Sequence, residues 1–381
     1  MSVRDGDPTG PGLRRRRAGR GFSYLDERGR RITDPAVIDR IKALAIPPAW
    51  TDVWICPDPR GHIQACGLDA RGRRQYRYHD EWRARRDRHK HDRMLELARA
   101  LPRLRRRLRR DLATDGLGRD RVLACAVRLL ELGLFRVGGE PYVVENGSYG
   151  LATLRKRHVR AVGDELRFDY PGKGNQRRVV TIGDAQVADV VRALKRRRGG
   201  GPELLAYKDD RGRWVDVRSS DINDYVQRAL GPTFSAKDFR TWTATVLAAV
   251  ALAAEEEAET GRQRQKAVVR VVRRVALVLG NTPAVARGSY VDPRVIERYE
   301  GGETVGDALA EDHVDAVAET VLGNGNGDGP VGRGEPGDDG GHDGVSALDG
   351  VPRKLLSEID AAVVDLIEGS PRRRARPRRR R

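Results

Sequence analysis

The sequence predicts an α+β protein with a small β-rich N-terminal domain, a larger and mainly helical domain that contains a small sheet, and a disordered C-terminal tail. Two observations support this prediction. Short runs of alternating apolar and polar residues, separated by Gly, Asp and Pro turns, fill much of residues 19–92, whereas helical periodicity dominates residues 93–322. After residue 322 the composition shifts to glycine and then to arginine, which is typical of chain without a packed core.

The N-terminal region is expected to contain an arm and then the β-rich domain. Residues 1–18 are rich in Gly, Pro and Arg without periodicity, so they are predicted to be a disordered basic arm. Within residues 19–92 we expect at least three strands, with hairpin turns at 57–61 and 69–72. The stretch DPAVIDRIKALAIPP predicts one helix in this domain, which the Pro47–Pro48 pair ends.

The second domain, residues 93–322, is expected to be helical around a compact β segment at 156–182. The basic helix predicted at 81–112 either links the domains while touching a phosphate backbone or is simply a solvated charged helix. Further helices are predicted at 120–134, 185–195, 219–230, 236–258, 262–279, 283–290 and 293–299.

The C-terminal region is predicted to be a linker, a short helix and a tail. Residues 323–350 hold 11 glycines in 28 positions, which predicts a flexible linker. Residues 351–368 are compatible with a short amphipathic helix. The last eleven residues, 371–381, include eight arginines and are expected to be a disordered polycationic tail.

The charge of the chain indicates a polyanionic partner. Lys and Arg number 73 against 55 Asp and Glu, which gives a net charge of +18 and makes nucleic acid the default expectation. Cys56, Cys66 and Cys125 have no metal-ligand spacing and cannot all pair, which favours a reducing cytoplasmic setting. No apolar run approaches membrane-spanning length, so the expected location is the cytoplasm, in association with the nucleoid.

Four stretches of the second domain contain side chains suited to phosphate chemistry. Taken singly, each side chain has an ordinary explanation as a salt-bridge partner, a solvated cation or a packing residue. Together they form a set that chemistry at a phosphodiester requires. The set consists of Arg136, Lys173, Lys237 with Arg240, and Asn281 with Tyr290.

Transesterification at a phosphodiester needs a nucleophile, cations for the non-bridging oxygens and a proton for the leaving oxygen. Arg136 and Arg240 offer planar, permanently charged forks for those oxygens. Lys173 can release a proton as a general acid, which a guanidinium hardly can. The Asn281 amide can donate one more hydrogen bond. Tyr290 needs this cationic surrounding because a phenol ordinarily has a pKa of about 10.

Several strings place these residues in a recognisable order. The strings FRVG, YVVENGSYGLATLRKRHV, KDFRTW and NTPAV followed by SY resemble the type IB DNA topoisomerases, in particular their poxvirus-like and bacterial branch. The likeness extends from about residue 21 to residue 299. It implies a catalytic domain of the tyrosine recombinase and topoisomerase IB type. It also implies relaxation of supercoiled double-stranded DNA by a monomer that clamps the duplex, with no ATP, metal, small-molecule cofactor or membrane partner.

The resemblance carries over residue by residue. It implies that Tyr290 is the nucleophile that forms a 3′-phosphotyrosyl link, and that Arg136 and Arg240 bind the scissile phosphate. It implies that Lys173 protonates the leaving 5′ oxygen and that Lys237 supports these groups. It further implies DNA contacts, in the two domains, by Gln75, Tyr76, Tyr78 and Tyr142.

One position departs from the common pattern, and two alternative functions remain. Asn281 stands where many family members have a histidine, which keeps a hydrogen-bond donor and loses a possible cation. A tyrosine recombinase is the first alternative, but recombinases usually have His-x-x-Arg where this chain has Lys237 and Arg240, and they have a helical N-terminal domain. The second alternative is a non-catalytic, chromatin-like protein that binds DNA through its basic arms alone.

Overall fold

The computed structural model describes residues 3–139, 147–255, 258–322 and 353–369. The chain divides into two units, Met1–Arg93 and Met94–Arg381. The division falls inside one long helix, α2 (Asp80–Leu112), which covers the basic stretch predicted to be helical. The predicted domain boundary, between residues 92 and 93, is one residue before this division.

The N-terminal unit is built on an antiparallel sheet of five strands, which are β1 (Leu13–Ala18), β2 (Gly21–Leu25), β3 (Thr51–Ile55), β4 (Ile63–Leu68) and β5 (Arg74–Tyr78). The strands lie in the order β2-β1-β3-β4-β5. Helix α1 (Pro35–Ala43) begins at Asp34, whose carboxylate accepts a hydrogen bond from the Ala36 amide, and it ends before the proline pair. Ile41 of α1 packs with Val53 and Ile55 in the core on one face of the sheet.

The prediction that residues 1–18 form a disordered arm is wrong for residues 3–18, because Arg4 forms a parallel bridge with Gly61 and residues 13–18 form strand β1. Strand β1 lies between β2 and β3 and pairs with both. Leu13 is buried, and the Arg15 guanidinium stacks on Phe22 with its Cζ 4.1 Å from the ring centroid. Arg15 also donates hydrogen bonds to three backbone carbonyls. A strand requires backbone pairing, and arginine stems can cover apolar neighbours, so the run of arginines did not prevent sheet formation.

The second unit is mainly helical, as predicted, and its described residues form two small antiparallel sheets. The first sheet contains β6 (Val159–Val162), β7 (Glu165–Pro171) and β8 (Arg177–Gly183) in that order. The second pairs β9 (Ala206–Lys208) with β10 (Trp214–Asp216) and was not predicted. The helices that follow α2 are α3 (Arg119–Gly133), α4 (Ala185–Arg196), α5 (Ser219–Leu230), α6 (Ala236–Ala253), α7 (Gly261–Leu279), α8 (Pro283–Ser289), α9 (Pro293–Glu300), α10 (Glu311–Leu322) and α11 (Arg353–Glu368).

Helix α11 is part of the core of the second unit. Its apolar residues Leu356, Ile359 and Val363 are at most 2% exposed and belong to the same hydrophobic cluster as α3, α6 and α7. The short helix predicted from sequence therefore exists, but it is packed into the unit and is not an isolated appendage. The predicted linker at 323–350 and tail at 371–381 lie outside the described residues.

A chain of buried ion pairs connects α11 to the rest of this unit. It runs from Asp184 at the start of α4 through Arg128, Glu131 and Arg105 to Asp360 of α11, with successive N–O distances of 3.0, 2.6, 2.5 and 2.8 Å. All five side chains are at most 8% exposed. Asp360 also accepts a hydrogen bond of 2.7 Å from the Trp242 indole in α6. The network thus joins α2, α3, α4, α6 and α11.

None of the helices in the described ranges is long and apolar enough to cross a membrane.

Candidate active site and nucleic-acid interface

The carboxyl-terminal end of α7 organises the candidate site. The helix ends at Gly280, which takes the left-handed conformation (φ 60°, ψ 52°), and the next residue is Asn281. Three arginines donate hydrogen bonds to successive carbonyls at this end. Arg178 contacts the carbonyls of residues 277 and 278 at 3.3 and 2.7 Å. Arg240 contacts that of residue 279 at 2.8 Å, and Arg136 contacts that of Gly280 at 3.1 Å.

These arginines are held by backbone oxygens and not by carboxylates. In the described part of the chain, none of the three has an Asp or Glu oxygen within 4 Å. Arg240 is 3% exposed, and burial together with the nearby charge of Arg136 lowers its pKa to about 10, so it stays protonated at neutral pH. Carbonyl dipoles fix the guanidiniums without neutralising them. The positive charge therefore remains available to an anion.

Tyr290 lies beside these cations. It is the first residue after α8, and its ring centroid is 5.5 Å from the Arg240 Cζ. Burial alone would raise the pKa of the Tyr290 phenol. The charges of Arg240, Arg136 and Lys237 outweigh burial and hold that pKa below its ordinary value. The Thr245 hydroxyl, 3.2 Å from the Tyr290 carbonyl oxygen, anchors the backbone at this position.

Asn281 and the two lysines complete the predicted set. The Asn281 Oδ1 accepts a 2.5 Å hydrogen bond from Arg136, and its buried Nδ2 has no hydrogen-bond partner among the described residues. That amide can therefore donate to a ligand. Lys173 is exposed in the short turn between β7 and β8 and lines one pocket with Arg136 and Arg240. Lys237 is exposed in the first turn of α6. The structure thus brings all six predicted residues to one region.

An aromatic stack marks the surface of the N-terminal unit. Tyr76 and Tyr78, both more than a third exposed, have ring centroids 5.9 Å apart and nearly parallel planes. Tyr78 stacks in turn on Trp82 in the first turn of α2, at 4.5 Å. The Arg86 Cζ lies 4.8 Å from the Trp82 ring. Exposed aromatic rings beside a cation are suited to contact with a nucleic acid.

The other two predicted DNA contacts are placed differently. Gln75 lies between Arg74 and Tyr76 on β5, so strand alternation points it to the opposite face of the sheet from the stacked tyrosines. Its Nε2 donates a 3.0 Å hydrogen bond to Asp69 in the β4–β5 turn. Tyr142 lies outside the described residues.

Comparison with known proteins decides the family. The protein-family model for the catalytic core of eukaryotic DNA topoisomerase I matches residues 79–304. The family model for the N-terminal domain of bacterial DNA topoisomerase IB matches residues 21–69. DNA topoisomerase 1B of Acanthamoeba polyphaga mimivirus is 31% identical over 296 residues, which cover 76% of this chain and 88% of that protein. The chain belongs to the type IB DNA topoisomerases. It is therefore an isomerase that acts on double-stranded DNA.

Membership of this family confirms the resemblance, the fold class and the enzyme class inferred from sequence. The comparisons favour neither of the two alternatives, the recombinase and the non-catalytic basic protein. They match the topoisomerase catalytic core over the helical region and the topoisomerase N-terminal domain over the β-rich region.

Two side chains of the enzyme's candidate surfaces were missed by sequence reasoning. The first is Arg178, the third arginine at the end of α7. Alternation along β8 places Arg178 on the same face as the buried Val180 and Ile182, and a charge at an inward position was the available signal. The second is Trp82, which extends the tyrosine stack. The residues around Trp82 gave no signal for this role, because the stack depends on the direction in which α2 starts after the end of β5.

Proposed function

We propose that this topoisomerase relaxes supercoiled duplex DNA by cutting and resealing one strand through a 3′-phosphotyrosyl intermediate at Tyr290. The observation that supports this best is the convergence of uncompensated cations on one phenol. The Arg240 Cζ lies 5.5 Å from the centroid of the Tyr290 ring, and the charge of Arg136 also favours the ionised form of the Tyr290 phenol. Arg136 in turn donates a 2.5 Å hydrogen bond to Asn281. These side chains come from separate stretches of the chain, so their meeting is a property of the fold.

The chemical step exchanges one phosphate ester for another. The Tyr290 oxygen attacks the phosphorus, the bond from phosphorus to the 5′ oxygen breaks, and the phenol proton passes to solvent. Arg136, Arg240 and the free N–H of Asn281 stabilise the charge that develops on the non-bridging oxygens. Lys173 donates a proton to the departing 5′ oxygen. Attack by the resulting 5′-hydroxyl on the phosphotyrosine reverses each transfer and reseals the strand.

Relaxation then needs no external energy source. The phosphotyrosyl ester conserves most of the energy of the broken phosphodiester, so ATP is not required for resealing. The arginine forks and Lys173 supply the positive charge and the proton, so a metal is not required either. The charge of Lys237 assists by favouring the phenolate of Tyr290. While the strand is open, supercoil strain drives rotation of the downstream duplex.

The DNA contacts proposed from sequence involve both units. Tyr76 and Tyr78 are suited to press against the duplex because their rings are exposed. We include Gln75 and Tyr142 as further contacts. We expect a monomer to grip the duplex and, since duplex DNA is the substrate, to be found with the nucleoid. The net charge of +18 favours such binding and predicts that it weakens steeply with salt.

The decisive test is Tyr290→Phe, assayed for plasmid relaxation without ATP or Mg²⁺ and for DNA binding. We expect relaxation to be abolished and binding to be retained, since only the nucleophilic oxygen is removed. Tyr207→Phe, on β9, is the matched control and should relax DNA normally. Retained relaxation in Tyr290→Phe would remove Tyr290 from the mechanism.

The role of Lys173 is tested by changing the leaving group. In a DNA substrate whose bridging 5′ oxygen is replaced by sulfur, the leaving thiolate needs little protonation. Lys173→Ala should slow cleavage of the normal substrate by about 10²- to 10⁴-fold and that of the sulfur substrate far less. Equal slowing of both substrates would argue against the general-acid role.

A further inference from the structure

Arg178 occupies an unusual place between the turn that carries Lys173 and the end of α7. Its side chain runs from β8 past Gly172, the residue before Lys173, to Gly280, the residue before Asn281. A Cβ at Gly172 would lie 2.7 Å from the Arg178 Cγ, and a Cβ at Gly280 would lie 2.7 Å from its Nη1. Both neighbours must therefore be glycine for this arginine to lie as close as it does.

The guanidinium head of Arg178 fastens the two elements together. It donates hydrogen bonds of 3.3 and 2.7 Å to the carbonyls of Leu277 and Val278, at the negative end of the α7 dipole. Its sequence neighbour Arg177 behaves differently, since it forms a two-pronged ion pair with Asp169 on the exposed face of the same hairpin. Two adjacent arginines on β8 thus serve opposite faces of the hairpin.

We propose that Arg178 is a positioning residue that docks the Lys173 hairpin onto the end of α7 and so sets the distance from the Lys173 ammonium to the leaving oxygen. This inference rests on the function proposed above. Lys173 is exposed at the tip of a short turn, and in the described residues its ammonium has no ion-pair partner that could fix it. The position of Lys173 then depends on how the hairpin is held. Arg178 holds it, because its side chain lies against the turn before Lys173 and its guanidinium binds the end of α7 before Asn281.

The guanidinium is suited to this task in a way that an ammonium is not. Its planar fork reaches two successive carbonyls at once, whereas a lysine offers a single point charge. A misplacement of a catalytic group by about 1 Å can cost about 10²-fold in rate. Loss of Arg178 should consequently slow the step that depends on Lys173 and leave the phosphate contacts of Arg136 and Arg240 in place.

The experiment compares single-turnover cleavage of the normal and the 5′-sulfur substrate by full-length variants. We expect Arg178→Ala to cleave the normal substrate about 10²-fold more slowly than the wild type. Its cleavage of the sulfur substrate should be much closer to the wild-type rate, as for Lys173→Ala. Arg178→Lys should fail in the same selective way. Arg177→Ala is the matched control and should cleave both substrates normally.

Other outcomes would overturn the inference. If Arg178→Ala slows both substrates equally, or neither, while Lys173→Ala remains selective, Arg178 does not position Lys173 and the proposed function stands. If Lys173→Ala is not selective either, the general-acid assignment fails and the role of Arg178 fails with it. Should Arg178→Ala not fold, Gly172→Ala pushes the same side chain away without removing it. That variant must show the selective loss, and normal cleavage by it would contradict the proposal.

Discussion

The chain of buried ion pairs that ends on α11 allows the loss of stability in Arg105→Met to be predicted. Arg105 contacts Glu131 at 2.5 Å and Asp360 at 2.8 Å, and all three side chains are at most 8% exposed. Among the described residues, the methionine leaves Glu131 with Arg128 as its one cation and Asp360 with none, while it keeps an apolar stem of similar length. Removing one partner of a buried ion pair costs about 3–5 kcal/mol. Since whole domains are stable by about 5–15 kcal/mol, this is a large fraction of the total.

The pH dependence of that loss follows from the Glu131 carboxyl. Burial would raise its pKa, but Arg105 and Arg128 outweigh burial and lower the pKa to about 2. A glutamate in an unfolded chain has a pKa of about 4.3. The lower pKa of Glu131 in the folded protein therefore corresponds to about 3 kcal/mol of stabilisation of the folded state. The stabilisation is complete above the unfolded pKa and is lost as pH falls toward 2. The difference between wild type and Arg105→Met should therefore be full at pH 7 and shrink below pH 4.

Urea denaturation of wild type and Arg105→Met at pH 7 and again below pH 4 measures this difference in the free energy of unfolding. Arg106→Met on the exposed face of the same helix is the matched control, and it should change stability by less than about 0.5 kcal/mol. A loss under 1 kcal/mol for Arg105→Met, or one that does not vary with pH, would refute the account of the network.

Three further predictions concern the site and the C-terminal helix. Because the phenolate is the attacking form and nearby cations lower the pKa of Tyr290, the cleavage rate should rise with pH to a midpoint below about 10. Lys237→Gln should move that midpoint upward, and an unmoved midpoint would exclude its charge from this role. Asn281→Ala should slow cleavage by about 10²- to 10³-fold. Asn281→Asp should be worse because its carboxylate would neutralise a phosphate-binding arginine, and equal rates would contradict this. Truncation after Leu322 removes α11 and should lower the Tm, whereas truncation after Gly369 should leave the Tm unchanged and weaken only DNA binding; thermal unfolding of both proteins decides.

Regular elements could be predicted because their signals are local. Helix α5 begins and ends at the predicted residues, and α7 begins one residue earlier than predicted, since apolar periodicity and capping residues lie within each segment. Strand β1 was not predicted because its arginine-rich residues carry no local signal for the backbone pairing with β2 and β3. The three-residue strands β9 and β10 were missed since they are too short to show alternation.

The residues of the site could be listed from sequence, but not the way they are held. Arg136 and Arg240 could be identified as a pair of cations from their residue types. That both bind carbonyls at the end of α7 could not, because these contacts form only in the fold, and Arg136 is more than a hundred residues from Gly280 in sequence. Arg178 was hidden among many arginines. The packing of α11 was equally invisible, because residues 323–350 separate it from its partners in sequence.

The measurement that tests the central claim most directly is identification of the amino acid that becomes linked to DNA. Wild-type enzyme is mixed with labelled duplex, denatured rapidly with detergent and digested, and the DNA-linked peptide is sequenced by mass spectrometry. The account predicts that one peptide carries the label, that the modified residue is Tyr290, and that the DNA is attached through its 3′ phosphate. Attachment to another residue, or through a 5′ phosphate, would contradict it.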